Sequence, residues 1–160
     1  RVRLTLDDLK DYTARISMPR NKPAEAAAFA ALMHQVDHLG RLLEQARRRD
    51  FIHVLEDDAV TRRPARWFAA CLASDRKLEL AQIGARMSRM NEPVAHRFKR
   101  HRRGLLLGEH VGIYSVQNTF QATDAMRWLR RIMHNVERIG EYDREVRDKL
   151  GQGLPTSPAA

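Results

Sequence analysis

Two segments of the chain, 100 residues apart, carry histidine and carboxylate side chains at the same spacing. Residues 33–40 read Met-His-Gln-Val-Asp-His-Leu-Gly, and residues 133–140 read Met-His-Asn-Val-Glu-Arg-Ile-Gly. Methionine, histidine, valine and glycine coincide, and three further positions hold close substitutions. Because both segments lie inside long helical patterns, the match indicates an internal repeat.

Imidazole and carboxylate groups on facing helices are the side chains from which metal sites in helical bundles are built. His34 and Asp37 are three residues apart and share a helical face, as do His134 and Glu137. Glu141 adds a carboxylate one turn later. If the two helices are parallel neighbours, we expect these five groups to converge at one height, where they could bind a metal ion such as a divalent cation. The alternative is that they are solvated or paired side chains beside a core stripe, with no cofactor.

Each copy of the repeat also contains a glycine within its helix, which costs about 1 kcal/mol relative to alanine. We expect Gly40 and Gly140 to permit close approach of two helices, or to leave room for a ligand or ion. The methionine, valine and leucine or isoleucine of each copy are expected in the core.

Apolar residues recur every three to four positions along most of the chain and predict an all-α fold. The predicted helices cover 4–16, 23–49, 64 to at least 103, with a kink or break at Pro93, and 115–150, and residues 50–63 form a connection. This order predicts an up-down-up three-helix bundle with a short extra N-terminal helix, in which the first and third long helices are parallel. Residues 1–150 then form a single domain, and residues 151–160 form a disordered tail.

The overall charge favours an anionic partner. The net charge is +9 and the pI is about 10.5, which suits nucleic acid, anionic lipid or phosphate without choosing among them. The only cysteine, Cys71, is expected to be a buried structural thiol, so the chain suits a reducing compartment. No apolar run reaches the roughly 20 residues that a transmembrane helix needs.

The densest basic stretch runs from His96 to Arg103. Its cationic members, and the expected anion or membrane surface, are Arg97, Lys99, Arg100, Arg102 and Arg103. One interpretation is a solvated helix surface. Another is an anionic membrane surface, where each basic residue contributes about 1 kcal/mol. Nucleic acid is not the expected partner, since neither a helix-turn-helix nor an aromatic platform is recognisable.

The sequence gives no positive indication of an enzyme. It contains no recognisable set of nucleophile, base and orienting residue, and no glycine-rich phosphate loop precedes a helix. His34 and His38 have the spacing of a zinc-peptidase helix, but Gln35 stands where that motif needs a glutamate.

Residues 136–142, Val-Glu-Arg-Ile-Gly-Glu-Tyr, resemble the signature of the PhoU family, a carboxylate followed by Arg-Ile-Gly and a second carboxylate. Residues 37–41, Asp-His-Leu-Gly-Arg, resemble a degenerate copy of it. More narrowly, residues 29–43 and 124–132 are similar to the cytoplasmic C-terminal PhoU-like domain of bacterial sodium/phosphate cotransporter-family proteins. The resemblance extends roughly over residues 20–150, and the start at Arg1 fits a piece of a longer protein.

The resemblance implies a three-helix bundle whose first and third helices hold iron or zinc, and a regulatory role in phosphate uptake or phosphate signalling. It implies a location in the cytoplasm or at the cytoplasmic face of the inner membrane. The implied partners are a transporter membrane domain or a phosphate-signalling protein, with a homo-oligomer left open.

The sequence departs from the family pattern at Arg41, where the family places a carboxylate, and at Glu141, where aspartate is usual. Arg41 would repel a cation and is expected to pair instead with Glu137 or Glu141. The alternative function is a stand-alone basic helical scaffold or nucleic-acid-associated protein without a ligand. A catalytic four-helix metalloprotein ranks last.

Overall fold

The computed structural model describes residues 2–16, 22–74 and 79–152, and these residues contain helices and no strand. The all-α fold class is therefore confirmed. In chain order the helices are α1 Val2–Ala14, α2 Pro23–Ala46, α3 Asp50–Asp57, α4 Ala59–Ser74, α5 Leu80–His110 and α6 Val116–Gln152.

Helix α6 is the centre of the fold, because α2 and α5 both pack along it and α3 contacts it as well. Leu129 and Met133 of α6 are almost fully buried, together with Met87 of α5. Within the described ranges no backbone contact joins α2 to α5. Each of these long helices therefore buries its apolar stripe mainly against α6.

Helices α2 and α6 run in opposite directions. His38 pairs with Asn135, and the Gln45 carbonyl accepts a hydrogen bond from the Trp128 indole at 2.9 Å. Residue numbers rise along α2 as they fall along α6. The prediction that these two helices are parallel is wrong.

The direction of α6 is opposite to the predicted one because the chain contains one more long helix than the sequence predicts. The expected helix from residue 64 to 103 is two helices, α4 and α5, and residues 75–78 between them lie outside the described ranges. Asp58, just before α4, contacts His101, while Leu72 near the end of α4 lines a groove with Leu80 of α5. The two helices are thus antiparallel, and every later helix is inverted. The predicted up-down-up order of three helices is not confirmed.

Two predicted interruptions are helical instead. Residues 50–63, predicted as a connection, form α3 and the first turns of α4, because Phe51 and Leu55 turn inward from α3. Helix α5 is continuous through Pro93, so a break there is wrong, whereas the alternative of a kink stays a prediction. Helix α6 continues to Gln152, two residues into the predicted tail, and residues 153–160 lie outside the described ranges.

Smaller details concern the periphery. Cys71 is only partly buried and packs against the core cluster. Helix α1 contacts α2 and makes no backbone contact with the other described helices. Every helix in the described ranges is too short or too polar to span a bilayer.

Candidate functional site

The two copies of the repeat face each other across the α2–α6 interface. The Gln35 amide donates a hydrogen bond of 3.5 Å to the Ile139 carbonyl, and His38 Nδ1 donates one of 2.9 Å to Asn135 Oδ1. Gln35 and Asn135 occupy equivalent positions in the two copies, and both are buried. Because the helices are antiparallel, the copies are related by an approximate twofold axis, with each amide side chain reaching the other copy.

Four rings gather at this crossing. Tyr142 stacks on His34, with ring centroids 5.1 Å apart, and on His38, with centroids 5.8 Å apart. His134 approaches His38 edge-on at 6.0 Å. His34 and His134 are exposed and His38 is half-buried, so the cluster is open to solvent on one side. The repeat histidines therefore serve as a ring cluster between the helices.

Asp37 is paired on its own helix. Its carboxylate lies 2.8 Å from the Arg41 guanidinium, and both side chains are exposed. The expectation that Arg41 pairs with Glu137 or Glu141 is therefore wrong, since Arg41 pairs with Asp37 and both glutamates have other partners. Asp37 and Glu137 lie at a similar height along the α2–α6 pair, but they contact different neighbours.

Glu137 points towards α5 instead of α2. Its Oε2 accepts a hydrogen bond from the Asn91 side-chain amide and lies 3.7 Å from His134 Nδ1. Only 15% of the Glu137 side chain is exposed, against 59% for His134. The carboxylate thus contacts α5 through Asn91 and lies near the exposed His134 of its own helix.

Glu141 is bound by Arg138, which also donates to the Tyr142 hydroxyl and lies over the Tyr142 ring. Burial alone would lower the pKa of Arg138, but the Tyr142 hydroxyl and the Glu141 charge outweigh it and raise that pKa. The signature-like segment of α6 is therefore held by its own arginine.

The five expected metal ligands, His34, Asp37, His134, Glu137 and Glu141, do not converge. Only His134 and Glu137 lie within 4 Å of each other, at 3.7 Å, and each carboxylate has a cation or amide partner. No group of three or more potential ligands in residues 2–16, 22–74 and 79–152 is arranged to hold a metal ion. This arrangement does not fit a metal ion, and binding by these residues stays a prediction.

The two repeat glycines have different neighbours. A Cβ atom on Gly140 would lie 2.6 Å from Gly84 Cα and 2.5 Å from the Leu80 carbonyl oxygen, so Gly140 permits close packing of α6 on α5. A Cβ on Gly40 would meet only α1 side chains, with Lys10 Nζ at 3.3 Å. The expected close approach is confirmed for Gly140, whereas Gly40 leaves room for Lys10.

A cleft of about 570 Å³ opens beside the first copy of the repeat, and we call it the α1 cleft. Arg3, Asp7 and Lys10 line it from α1, residues between Asp37 and Gln45 line it from α2, and Arg131, His134 and Asn135 line it from α6. Its acidic side chains already have basic partners, in the pairs Arg3–Asp7, Arg41–Asp37 and Arg47–Glu44.

Two cations that line the α1 cleft, Lys10 and Arg131, are not part of these ion pairs. In the described part of the chain, no carboxylate pairs with Lys10 or Arg131. His134 lies beside them on the cleft wall. An ammonium, a guanidinium and an imidazole that line one cleft can bind an oxyanion through charge-assisted hydrogen bonds.

The predicted basic surface is divided between two sides of α5. Lys99, Arg102 and Arg103 line a groove of about 510 Å³ between α5 and α6, which we call the α5–α6 groove. Arg97 and Arg100 do not line it. The groove also contains Arg127 and Arg130 of α6, over a floor that includes Phe98, Leu106 and Met126.

Several residues of these sites have only weak signals in the sequence. Gly84 is a glycine inside a helical pattern, which indicates close packing without naming the partner. Asn91 is a single polar residue in the apolar stripe of α5, between Met87 and Val94, and Lys10 and Arg131 are single cations in a basic chain. Their proximity to the repeat is seen only in the three-dimensional structure.

Comparison with protein-family models, curated proteins and solved structures finds no match to this chain.

Proposed function

We propose that the chain is a regulatory domain, without catalysis of its own, that binds phosphate and reports phosphate status to a membrane transporter or a signalling partner. The proposal treats it as a PhoU-like accessory domain of a sodium/phosphate cotransporter-related protein, acting at the cytoplasmic face of the membrane. Its support from the sequence is the repeat and the signature-like segment 136–142.

The observation that carries the proposal is the charge of the α1 cleft. The three carboxylates that line it are paired with arginines, whereas Lys10 and Arg131 have no carboxylate partner among the described residues, and His134, whose Nδ1 lies near Glu137, lines the same cleft. Phosphate needs several donors around its oxygens, and a guanidinium binds two oxygens at once. The cleft is therefore suited to a small oxyanion.

The first repeat glycine has a role in this proposal. Lys10 lies over Gly40, where any side chain would meet its ammonium group. Since α1 packs only on α2, while Arg131 belongs to α6, an anion held by both cations would tie α1 to the central helix. Phosphate would then favour a docked position of α1, which a partner can read.

Titration calorimetry of the purified chain with inorganic phosphate tests the proposal. We expect Lys10→Gln and Arg131→Gln each to weaken phosphate binding about tenfold, because a charge-assisted hydrogen bond contributes about 1.5 kcal/mol or more. Arg130→Gln is the matched control: it removes the same charge one residue away, but Arg130 lines the α5–α6 groove.

Two outcomes would remove the proposal: wild-type chain that does not bind phosphate, or equal weakening in Arg130→Gln and Arg131→Gln. The regulatory part has its own test in cells that encode the chain. Arg131→Gln, introduced into the complete gene, should abolish the dependence of radiolabelled phosphate uptake on phosphate supply, whereas Arg130→Gln should not.

A further inference from the structure

The end of the α5–α6 hairpin presents large apolar side chains to solvent. Seven of them lie between residues 106 and 120, and each is between 44% and 71% exposed: Leu106, Leu107, Val111, Ile113, Tyr114, Val116 and Phe120. We call residues 106–120 the hairpin tip. Clustered exposure of this kind marks an interaction surface, unlike isolated apolar side chains.

The turn at the hairpin tip has a defined geometry. The Ile113 amide donates to the Gly108 carbonyl at 2.7 Å and the Gly112 amide donates to the Glu109 carbonyl at 3.0 Å, while Gly112 has φ +78°. This is the Schellman pattern of helix termination. On the other side, the Ser115 hydroxyl caps α6 by accepting from the Asn118 amide at 3.1 Å.

The same turn directs Ile113 outward. In a Schellman motif the residue at this position usually packs on the side chain whose carbonyl it bonds. Here that residue is Gly108, and the Tyr114 ring occupies the space where a Gly108 Cβ would stand, 2.4 Å from the nearest ring atom. Ile113 is left without that contact and is 71% exposed.

The hairpin tip also differs from the rest of the chain in charge. From residue 104 to 123, Glu109 is the only residue with a formal charge at neutral pH, although 31% of the whole chain is charged. The hairpin extends past α2, whose last turn meets α6 at Trp128. Twelve residues of α6, 116–127, about 18 Å of helix, therefore lie beyond α2.

Cations follow immediately behind the hairpin tip. Arg102 and Arg103 precede Leu106 by about one turn, and Arg127 follows Phe120 by about two turns. Together with Lys99 and Arg130 they line the α5–α6 groove, where Glu92 is the only carboxylate. In the described residues, no carboxylate pairs with Lys99, Arg102, Arg103 or Arg130.

We propose that the hairpin tip inserts into the surface of a bilayer that contains anionic phospholipid, with the α5–α6 groove holding lipid phosphates behind it. The layers of a bilayer surface match the order of side chains along the hairpin. Apolar segments at an interface are buried by about 5–10 Å. Helical rise places Arg103 about 6 Å behind Leu107 and Arg127 about 10 Å behind Phe120, at the level of the headgroups.

Charge complementarity favours lipid over a protein partner. Five cations and one carboxylate, Glu92, line the groove, and its floor includes apolar side chains. Arg127 is paired with Asp124, and the other four cations have no carboxylate partner among the described residues. Anionic lipids present phosphates above acyl chains and satisfy both features, and tyrosine is frequent at membrane interfaces. This inference is independent of the proposed function, since no residue of the α1 cleft belongs to it.

Co-sedimentation of the purified chain with phosphatidylcholine vesicles, and with vesicles that also contain phosphatidylglycerol, tests the proposal. We expect binding to the anionic vesicles that the pair Ile113→Ser and Phe120→Ser weakens about tenfold or more, because the burial of two large side chains is lost. Leu4→Ser with Tyr12→Ser is the matched control, since these α1 side chains are 68% and 62% exposed.

The cations need a separate variant. Lys99→Gln, Arg102→Gln and Arg103→Gln together should abolish the preference for phosphatidylglycerol. The same loss of charge at the far end of α6, in Arg144→Gln, Arg147→Gln and Lys149→Gln, should preserve it. Circular dichroism confirms that each variant is folded.

Insertion can be read from a single probe, because Cys71 is the only cysteine. In a Cys71→Ser background, a polarity-sensitive dye on Ile113→Cys should shift its emission to the blue on anionic vesicles, whereas the same dye on Leu4→Cys should not. Three results would overturn the proposal: no vesicle binding, equal losses in the tip and α1 pairs, or a dimer that depends on the hairpin tip without vesicle binding.

Discussion

Met133, the first residue of the second repeat copy, is fully buried, whereas its equivalent Met33 is half-buried. The same contrast holds at Ile139, which is 4% exposed, and Leu39, which is 37% exposed. The second copy lies on α6, which is covered by α2 on one side and α5 on another, while the first lies on a helix packed mainly on one side. Equivalent residues of the two copies therefore differ in how far they are buried in the core.

The second copy therefore contributes more of its residues to the core than the first. In the second copy the polar residues contact neighbouring helices: Asn135 bonds α2 and Glu137 bonds α5. In the first copy, Asp37 and Gly40 border the α1 cleft. Variants at equivalent positions should therefore have unequal effects on stability.

Substitution of the two repeat methionines should give the largest difference in the free energy of unfolding. Met133→Ala leaves a cavity in the centre of the core and should destabilise the fold by about 4 kcal/mol, whereas Met33→Ala should cost about half as much because its site is partly open. Urea unfolding followed by circular dichroism measures both. Equal losses would contradict the difference in burial.

The glycines should differ in sign. Gly140→Ala forces a methyl group against the backbone of α5 and should destabilise by about 3 kcal/mol. Gly40→Ala meets the flexible end of Lys10 and, at ordinary van der Waals distance, Leu6, so the gain in helix propensity should stabilise the fold by up to about 1 kcal/mol. Thermal unfolding tests this pair. A stabilised Gly140→Ala variant would show that α5 and α6 are not packed as described.

The carboxylates should show a smaller contrast. Glu137→Ala leaves the partly buried Asn91 amide without its acceptor and should cost about 1.5 kcal/mol. Asp37→Ala breaks an exposed ion pair and should change the free energy of unfolding by less than about 0.5 kcal/mol. Asn91→Ala in the Glu137→Ala background should add little, and an additive loss would argue against this contact.

Removal of metal should have the smallest effect. Because Asp37, Glu137 and Glu141 already have partners, a chelator should leave the melting temperature of the purified chain unchanged. Elemental analysis gives the complementary result. Stoichiometric iron or zinc that is lost in both Asp37→Ala and Glu137→Ala would restore the predicted metal site.

The sequence predicts most of the helical residues, because periodic stripes such as Met126, Leu129 and Met133 survive in the structure as core positions. It misses α3, although Phe51 and Leu55, one turn apart, are a signal for a short helix. Pro93 is misleading, since α5 is continuous through it although an interior proline removes a helical hydrogen bond.

The direction of α6 was beyond sequence reasoning for a specific reason. Antiparallel packing fixes each helix relative to the one before it, so a single undetected reversal inverts all later helices. The reversal falls between α4 and α5, near residues that the structure does not describe. The two copies are neighbours despite this error, because residues near 37 and 137 lie at the same height along the helix pair whether α6 is parallel or antiparallel to α2.

The repeat residues were predictable from the sequence, but neither their contacts nor the presence of Lys10 and Arg131 in the α1 cleft was. The repeat identified His34, Asp37, His134 and Glu137, and the structure places all four near the α2–α6 crossing. Which cation or amide each carboxylate binds depends on differences of a few ångströms in side-chain position. Spacing along one helix does not determine those positions.

The antiparallel pairing of the two copies is the basis of the whole account, and chemical cross-linking tests it most directly. In a Cys71→Ser background, His38→Cys with Asn135→Cys should be joined rapidly by a short bismaleimide, as judged by migration on a denaturing gel. Gln45→Cys with Glu145→Cys should not react, because in this structure residue 145 lies 17 residues along α6 from the Trp128 contact, about 25 Å away. Rapid joining of the second pair would mean that the helices are parallel, and would contradict the account.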